Sequence, residues 1–212
     1  MAELGERPFR FWSNAKINSD SNYKFSNLFY AHVTIEMGGK TFVFPSAEHA
    51  YQAIVKFPKK VWHRFQIGGD LSSLEALHFF YPRNVADGKI KGYKRKNMIG
   101  IVAKMASNKP GKVSLKSNKA ASMKYKKFVF LHILRKKFVG NPELKVALLA
   151  TGSRYLLEFV RGAKMRMEKS GVSERWGALD KPCDNGTYLM YGENTMGKLL
   201  MELRNALREE ER

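Results

Sequence analysis

The sequence is poor in cysteine and, over one long stretch, has no acidic residue at all. A single cysteine, Cys183, in 212 residues excludes an intramolecular disulfide and any metal site built from several thiolates, and it fits a reducing compartment. The five histidines, His32, His49, His63, His78 and His132, lie without metal-ligand spacing, so no structural zinc and no cofactor is expected. No apolar run is long enough to span a bilayer, and the opening Met-Ala-Glu-Leu-Gly-Glu-Arg lacks the basic-then-apolar pattern of a leader. The expectation is a soluble, cytoplasmic protein with no membrane partner, or a nuclear one in a eukaryote.

Between Gly88 and Pro142 there is no Asp or Glu, while sixteen Lys and Arg occur there, and the whole chain carries a formal net charge of +19. Such an excess creates a positive field that attracts polyanions with an affinity that falls steeply as salt rises. Contact with nucleic acid or another polyanion is therefore expected. The competing reading is a solvated basic surface.

What is present is a globular composition, 44% hydrophobic, in a chain long enough to bury its own core. Pro8–Trp12 reads as a strand, and Tyr30–Glu36 returns through Gly38-Gly39-Lys40 to Thr41–Phe44 as a hairpin. Ser46 is then an N-cap for a helix in which Ala50, Ala53, Ile54 and Phe57 recur at the spacing of a buried face. Helical pieces follow at Leu71–Phe80 and Ile101–Ala106, with a basic loop after Tyr81-Pro82, and Met123–Phe138 reads as a basic helix. Asn141-Pro142-Glu143 opens another helix that Thr151-Gly152 ends, Tyr155–Val160 is a strand, and a last helix opens after Gly192. Together these predict a single α+β domain with a small antiparallel β element and a frayed C-terminal tail.

Two carboxylates are candidates for chemistry. Glu48 falls in the first turn of the helix after Ser46, on the face opposite the apolar stripe, together with Tyr51, Gln52 and Val55. The helix dipole there favours an ionised carboxylate, which suits a base, a nucleophile or a stabiliser of positive charge. The plainer alternative is an acid that caps its own helix. Glu158 stands among apolar neighbours in a strand, where a carboxylate must either pair with a cation or keep its proton to higher pH.

Several short segments, in order, resemble the NADAR family, also called YbiA-like: Phe25-Ser26-Asn27, Pro45-Ser-Ala-Glu48-His49-Ala-Tyr51-Gln52-Ala53, Ala103-Lys104, Leu134-Arg-Lys-Lys-Phe138, Asn141-Pro-Glu-Leu144, Leu148-Leu-Ala-Thr-Gly152, Leu157-Glu158, Trp176-Gly177 and Gly192-Glu-Asn194-Thr-Met-Gly197-Lys198-Leu-Leu-Met-Glu-Leu-Arg204. The resemblance spans roughly residues 8 to 208. It implies a mainly helical, single α+β domain over residues 8–208, with flexible termini at 1–7 and 209–212, that binds ADP-ribose-like or ribosylamine-phosphate ligands and hydrolyses an N-glycosidic bond. The implied reactions are removal of ADP-ribose from guanine in nucleic acid and hydrolysis of early riboflavin-pathway intermediates; a non-catalytic ADP-ribose or nucleic-acid binding module is the third reading.

Breaking a ribose C1–N bond develops positive charge on the sugar, which calls for a nearby carboxylate and an activated nucleophile. By resemblance, Glu48 takes that role, Glu158 stands as a proton donor, and Lys104 as an amine that could carry the ribose as a Schiff base. Asn27, Ser26, His49, Tyr51 and Gln52 are expected to line the ligand, Trp176 and Gly177 to meet its base, and Gly192, Asn194, Gly197 and Lys198 to cradle a pyrophosphate at the last helix's N-terminus. The sequence departs from the family in three places. Val55 stands where a second lysine is usual, and Lys56, one residue on, is about 12 Å along the helix axis from Glu48 and turned roughly 80 degrees away, so Lys104 ranks above it. The family's tryptophan before the basic helix is absent at Ala121-Ser-Met-Lys124, and Trp176-Gly177 is followed by Ala178-Leu-Asp180.

Overall fold

The computed structural model describes residues 2–12, 21–80, 93–115 and 121–212. The basic loop expected after Tyr81 lies outside them. The described elements run β1 (Ala2–Leu4), β2 (Phe9–Trp12), β3 (Val33–Met37), β4 (Lys40–Phe44), α1 (Ala47–Lys56), α2 (Leu74–Phe80), α3 (Tyr93–Asn108), α4 (Met123–Val139), α5 (Pro142–Leu149), β5 (Leu156–Phe159), α6 (Ala163–Ser170), β6 (Leu179–Pro182), β7 (Tyr188–Tyr191) and α7 (Thr195–Glu209). The fold class is α+β, as expected. The described chain divides into two compact units, one of residues 2–12, 21–26 and 145–212, the other within Asn27–Leu144.

In the second unit, Val33 and Ile35 are buried while Thr34 and Glu36 face solvent, so the β3–β4 hairpin covers a core with one face. β4 runs directly into α1. Ser46 caps it by accepting the His49 N–H, in extended backbone as the sequence implies. Both faces of α1 are covered. Glu48, Tyr51, Gln52 and Val55 are buried along with Ala50 and Ala53, while Ile54 is only half-buried. The reason is position: α1 packs against α3, α4, β4 and the short helical turn Lys59–Phe65, so little of its circumference is left for solvent. α3 approaches closely at Gly100, where an added Cβ would lie 2.7 Å from the Leu28 carbonyl oxygen. Lys104, one turn further along the same face, is near enough for its charge to act on Glu48.

The first unit holds a parallel pair, β2 with β5, and a three-stranded antiparallel sheet in the order β1-β7-β6. The antiparallel β element expected from the sequence is present, and beside it β2 pairs in parallel with a strand from the far end of the sequence rather than with its neighbours. Ala2–Leu4, expected to be part of a flexible terminus, is a strand that pairs with β7. α7 buries Leu199, Leu200, Leu203 and Leu207 and packs on β5.

Candidate active site

The Glu48 carboxylate is 4% exposed and is gripped by two amides. Asn27 Nδ2 donates to Oε2 in a short contact, and Gln52 Nε2 donates to Oε1 at 2.7 Å. The Glu48 N–H also donates to the Asn27 carbonyl at 3.0 Å, so the loop residue and the helix start hold each other. Gln52 reaches the carboxylate because it lies one turn along α1. Committing both NH₂ groups to the carboxylate leaves Asn27 Oδ1 and Gln52 Oε1 buried with no hydrogen-bond partner among the described residues. Two such acceptors beside a carboxylate are built to receive hydroxyl donors.

Burial raises the Glu48 pKa, and the Lys104 charge and the Gln52 and Asn27 hydrogen bonds, in that order, pull it back down. Desolvation therefore sets the direction of the shift at Glu48. A carboxylate with a raised pKa is a stronger base than an exposed one. Lys104 itself is exposed on α3. Lys56 is half-buried at the end of α1 and has no comparable electrostatic effect on Glu48.

His49 and Tyr51 are packed inside the unit. His49 is fully buried, with Nδ1 2.9 Å from Ser46 Oγ and Nε2 3.1 Å from the Leu71 carbonyl, so both ring nitrogens are committed. Tyr51 packs its ring 4.5 Å from that of Phe130 on α4, and burial followed by the Glu48 charge raises its pKa. Burial lowers the His49 pKa to about 4. Because the folded value lies below that of an unfolded histidine, the unfolded chain binds more protons between roughly pH 6.5 and 4, and stability falls as pH drops through that window. Wild type is expected to lose about 3 kcal/mol more than His49→Gln between pH 7 and 4 in urea denaturation; parallel pH curves for the two would contradict it.

The remaining candidates belong to the other unit. Glu158 is 5% exposed on β5. Its N–H donates to Asn194 Oδ1 at 3.0 Å, and its carbonyl accepts from the Ala178 N–H at 2.9 Å. Asn194, in left-handed backbone at the start of α7, also donates Nδ2 to the Leu156 carbonyl at 2.8 Å and is fully buried. It is a brace between β5 and α7, not a ligand contact. The pyrophosphate cradle expected here is closed. The N–H groups of Glu193, Asn194, Thr195 and Met196 donate to the carbonyls of Glu174, Gly177, Arg175 and Trp176, respectively. Gly177, Gly192 and Gly197 are explained by the same close packing: a Cβ at Gly197 would strike the Leu156 carbonyl and the Asn194 amide, one at Gly177 the Glu158 carbonyl, and one at Gly192 the Gly177 carbonyl. Ser26 is fully buried in this unit, Trp176 is half-buried, and Lys198 is exposed.

No family model and no curated protein matches the sequence. Among solved structures, the chain is similar to E. coli YbiA. The likeness covers 98% of this chain and 90% of that one, with 23% sequence identity and a TM-score of 0.49. A likeness of this degree to YbiA fixes no residue's role.

One titratable group in the second unit escaped the sequence reading. Lys137 on α4 is fully buried, its amine 5.0 Å from the Phe138 ring centre and 5.6 Å from that of Phe29, and burial lowers its pKa to about 7. The signal was available. Phe130, Ile133, Leu134 and Phe138 recur at helical spacing, and Lys137 falls inside that apolar arc.

Proposed function

We propose that the protein is an N-glycosidase that removes ADP-ribose from guanine bases in nucleic acid. The observation that carries the reading is the Glu48 carboxylate held between Asn27 and Gln52, whose two unpaired carbonyl oxygens suit the neighbouring hydroxyls of a ribose. A ribose seated on those acceptors presents C1 near a buried carboxylate. Glu48 takes a proton from the attacking water as the C1–N bond breaks, its charge offsets the cation that develops on the sugar, and the proton passes to the departing nitrogen, which leaves with the bonding pair. Lys104, on the exposed side, favours the ionised carboxylate through its charge.

Nucleic acid is favoured as the carrier of the ribose by the outer face of α4. Tyr125 and Phe128 are 46% and 71% exposed on a helix with five cations besides the buried Lys137 and no acid. His132 on that face has its pKa lowered by partial burial and by the charges of Lys136 and Arg135, a sign of the local positive field. Aromatic rings set among lysines are the elements that stack bases and hold a phosphate backbone.

The test is a side-by-side product assay on ADP-ribosylated DNA, ADP-ribosylated RNA and a phosphorylated ribosylamino-pyrimidine. Release of ADP-ribose from a nucleic acid is the expected outcome. Hydrolysis of the small pyrimidine alone would transfer the reading to a metabolic N-glycosidase, and tight ADP-ribose binding without turnover would make the protein a binding module.

A further inference from the structure

The parallel pairing of β2 with β5 has an electrostatic consequence in the first unit. Phe9 lies opposite Leu156 and Arg10 opposite Leu157, and the Phe9 N–H donates to the Tyr155 carbonyl at 2.8 Å. Two residues back along both strands, the same register brings Arg7 alongside Arg154, from opposite ends of the sequence. A cavity of about 330 Å³ opens at this corner, lined by Arg7, Pro8, Phe9, Arg10, Asn22 and Arg154.

The three arginines are held differently. Arg10 is neutralised, with Nε and a terminal nitrogen donating to Asp180 Oδ2 at 3.0 and 2.7 Å. Arg154 has its guanidinium carbon 4.5 Å from the Phe9 ring centre and donates Nε to the Thr151 carbonyl at 3.2 Å, which leaves its two terminal nitrogens uncommitted. Among the described residues, neither Arg7 nor Arg154 forms an ion pair. Behind them, buried Arg204 donates to the Arg154 carbonyl at 2.9 Å, and its pKa is lowered by burial and then by the charges of Arg208 and Arg154. The fold thus gathers like charges at one corner and supplies a carboxylate to only one of the cavity's arginines. Like charges at close range repel, and an anion between them turns the repulsion into attraction. Guanidinium forks match the spacing of phosphate oxygens, and the cavity is large enough for one or two phosphate groups.

We propose that the Arg7, Arg10 and Arg154 cavity is a phosphate-binding site, for the diphosphate of a nucleotide-like molecule or the phosphodiester of a nucleic acid. It does not depend on the Glu48 chemistry. The test is calorimetric titration at low salt of wild type, Arg7→Gln and Arg154→Gln with inorganic pyrophosphate and, separately, with a short unmodified DNA oligonucleotide. Wild type is expected to bind pyrophosphate, and each variant to bind about tenfold more weakly or worse. A loss confined to the oligonucleotide assigns the site to phosphodiesters. Arg7 is exposed, so Arg7→Gln should fold like wild type, which thermal melting checks. Equal affinities for both probes across the three proteins, or no binding of either probe by folded wild type, overturns the proposal. Pyrophosphate has no glycosidic bond, so Glu48→Gln should bind it like wild type, and a failure here leaves the N-glycosidase reading to its own assay.

Discussion

Glu48→Gln is expected to turn over its substrate about a hundred to ten thousand times more slowly than wild type while folding at least as stably. The two effects have opposite signs for one reason. A buried carboxylate whose pKa is raised by desolvation binds more protons folded than unfolded, so its ionised form costs stability as pH rises toward neutrality. The amide removes that cost along with the base. Asn27 and Gln52 can still pair with it, because each carries an unused carbonyl oxygen that can accept from the new NH₂ group after an amide flip. The loss should therefore appear in kcat, with affinity for ADP-ribose little changed. Urea midpoints at pH 7 check the stability half; a lower midpoint for the variant would show that Glu48 serves its helix. In wild type, activity should rise with pH through a midpoint above the ordinary carboxylate range.

Lys137→Met is expected to stabilise the protein at neutral pH, by up to about 5 kcal/mol. Folding lowers the Lys137 pKa from 10.5 to about 7. Between those values the unfolded chain holds a proton that the folded chain has lost, so wild-type stability rises with pH across that window. Below about pH 7 the amine is charged in both states and the full cost of burying the charge is present. Methionine has a similar length and no charge. The gain measured in urea should be largest at pH 6 and small near pH 10. A variant less stable than wild type at pH 6 would mean that the contacts of the lysine outweigh its desolvation.

These two residues also show what the sequence makes legible. The hairpin, the Ser46 cap and the helix that carries Glu48 can be read locally, because each depends on spacing or on a turn. The grip of Asn27 on Glu48 depends on a contact across 21 positions that no local pattern encodes, and only the resemblance placed both residues in one site. The β2–β5 pairing is further from reach still, since a parallel pair needs a long connection and leaves no turn signature. The glycine-rich start of α7 misled for a physical reason. A helix N-terminus offers its N–H groups to whatever is nearest, and here the carbonyls of Glu174, Arg175, Trp176 and Gly177 take up those of residues 193 to 196. Lys137 was hidden by composition: in a chain with 38 Lys and Arg, one more lysine in a basic helix reads as surface.

The central claim is that the Glu48 carboxylate, oriented by Asn27 and Gln52, catalyses cleavage of a ribosyl C1–N bond. The most direct test is ADP-ribose release from an oligonucleotide ADP-ribosylated on guanine, followed by chromatography in a single turnover with wild type and Glu48→Gln in parallel. Release by wild type and its near-complete loss in the folded variant is the result predicted. No release by wild type, or equal release by both proteins, would contradict it.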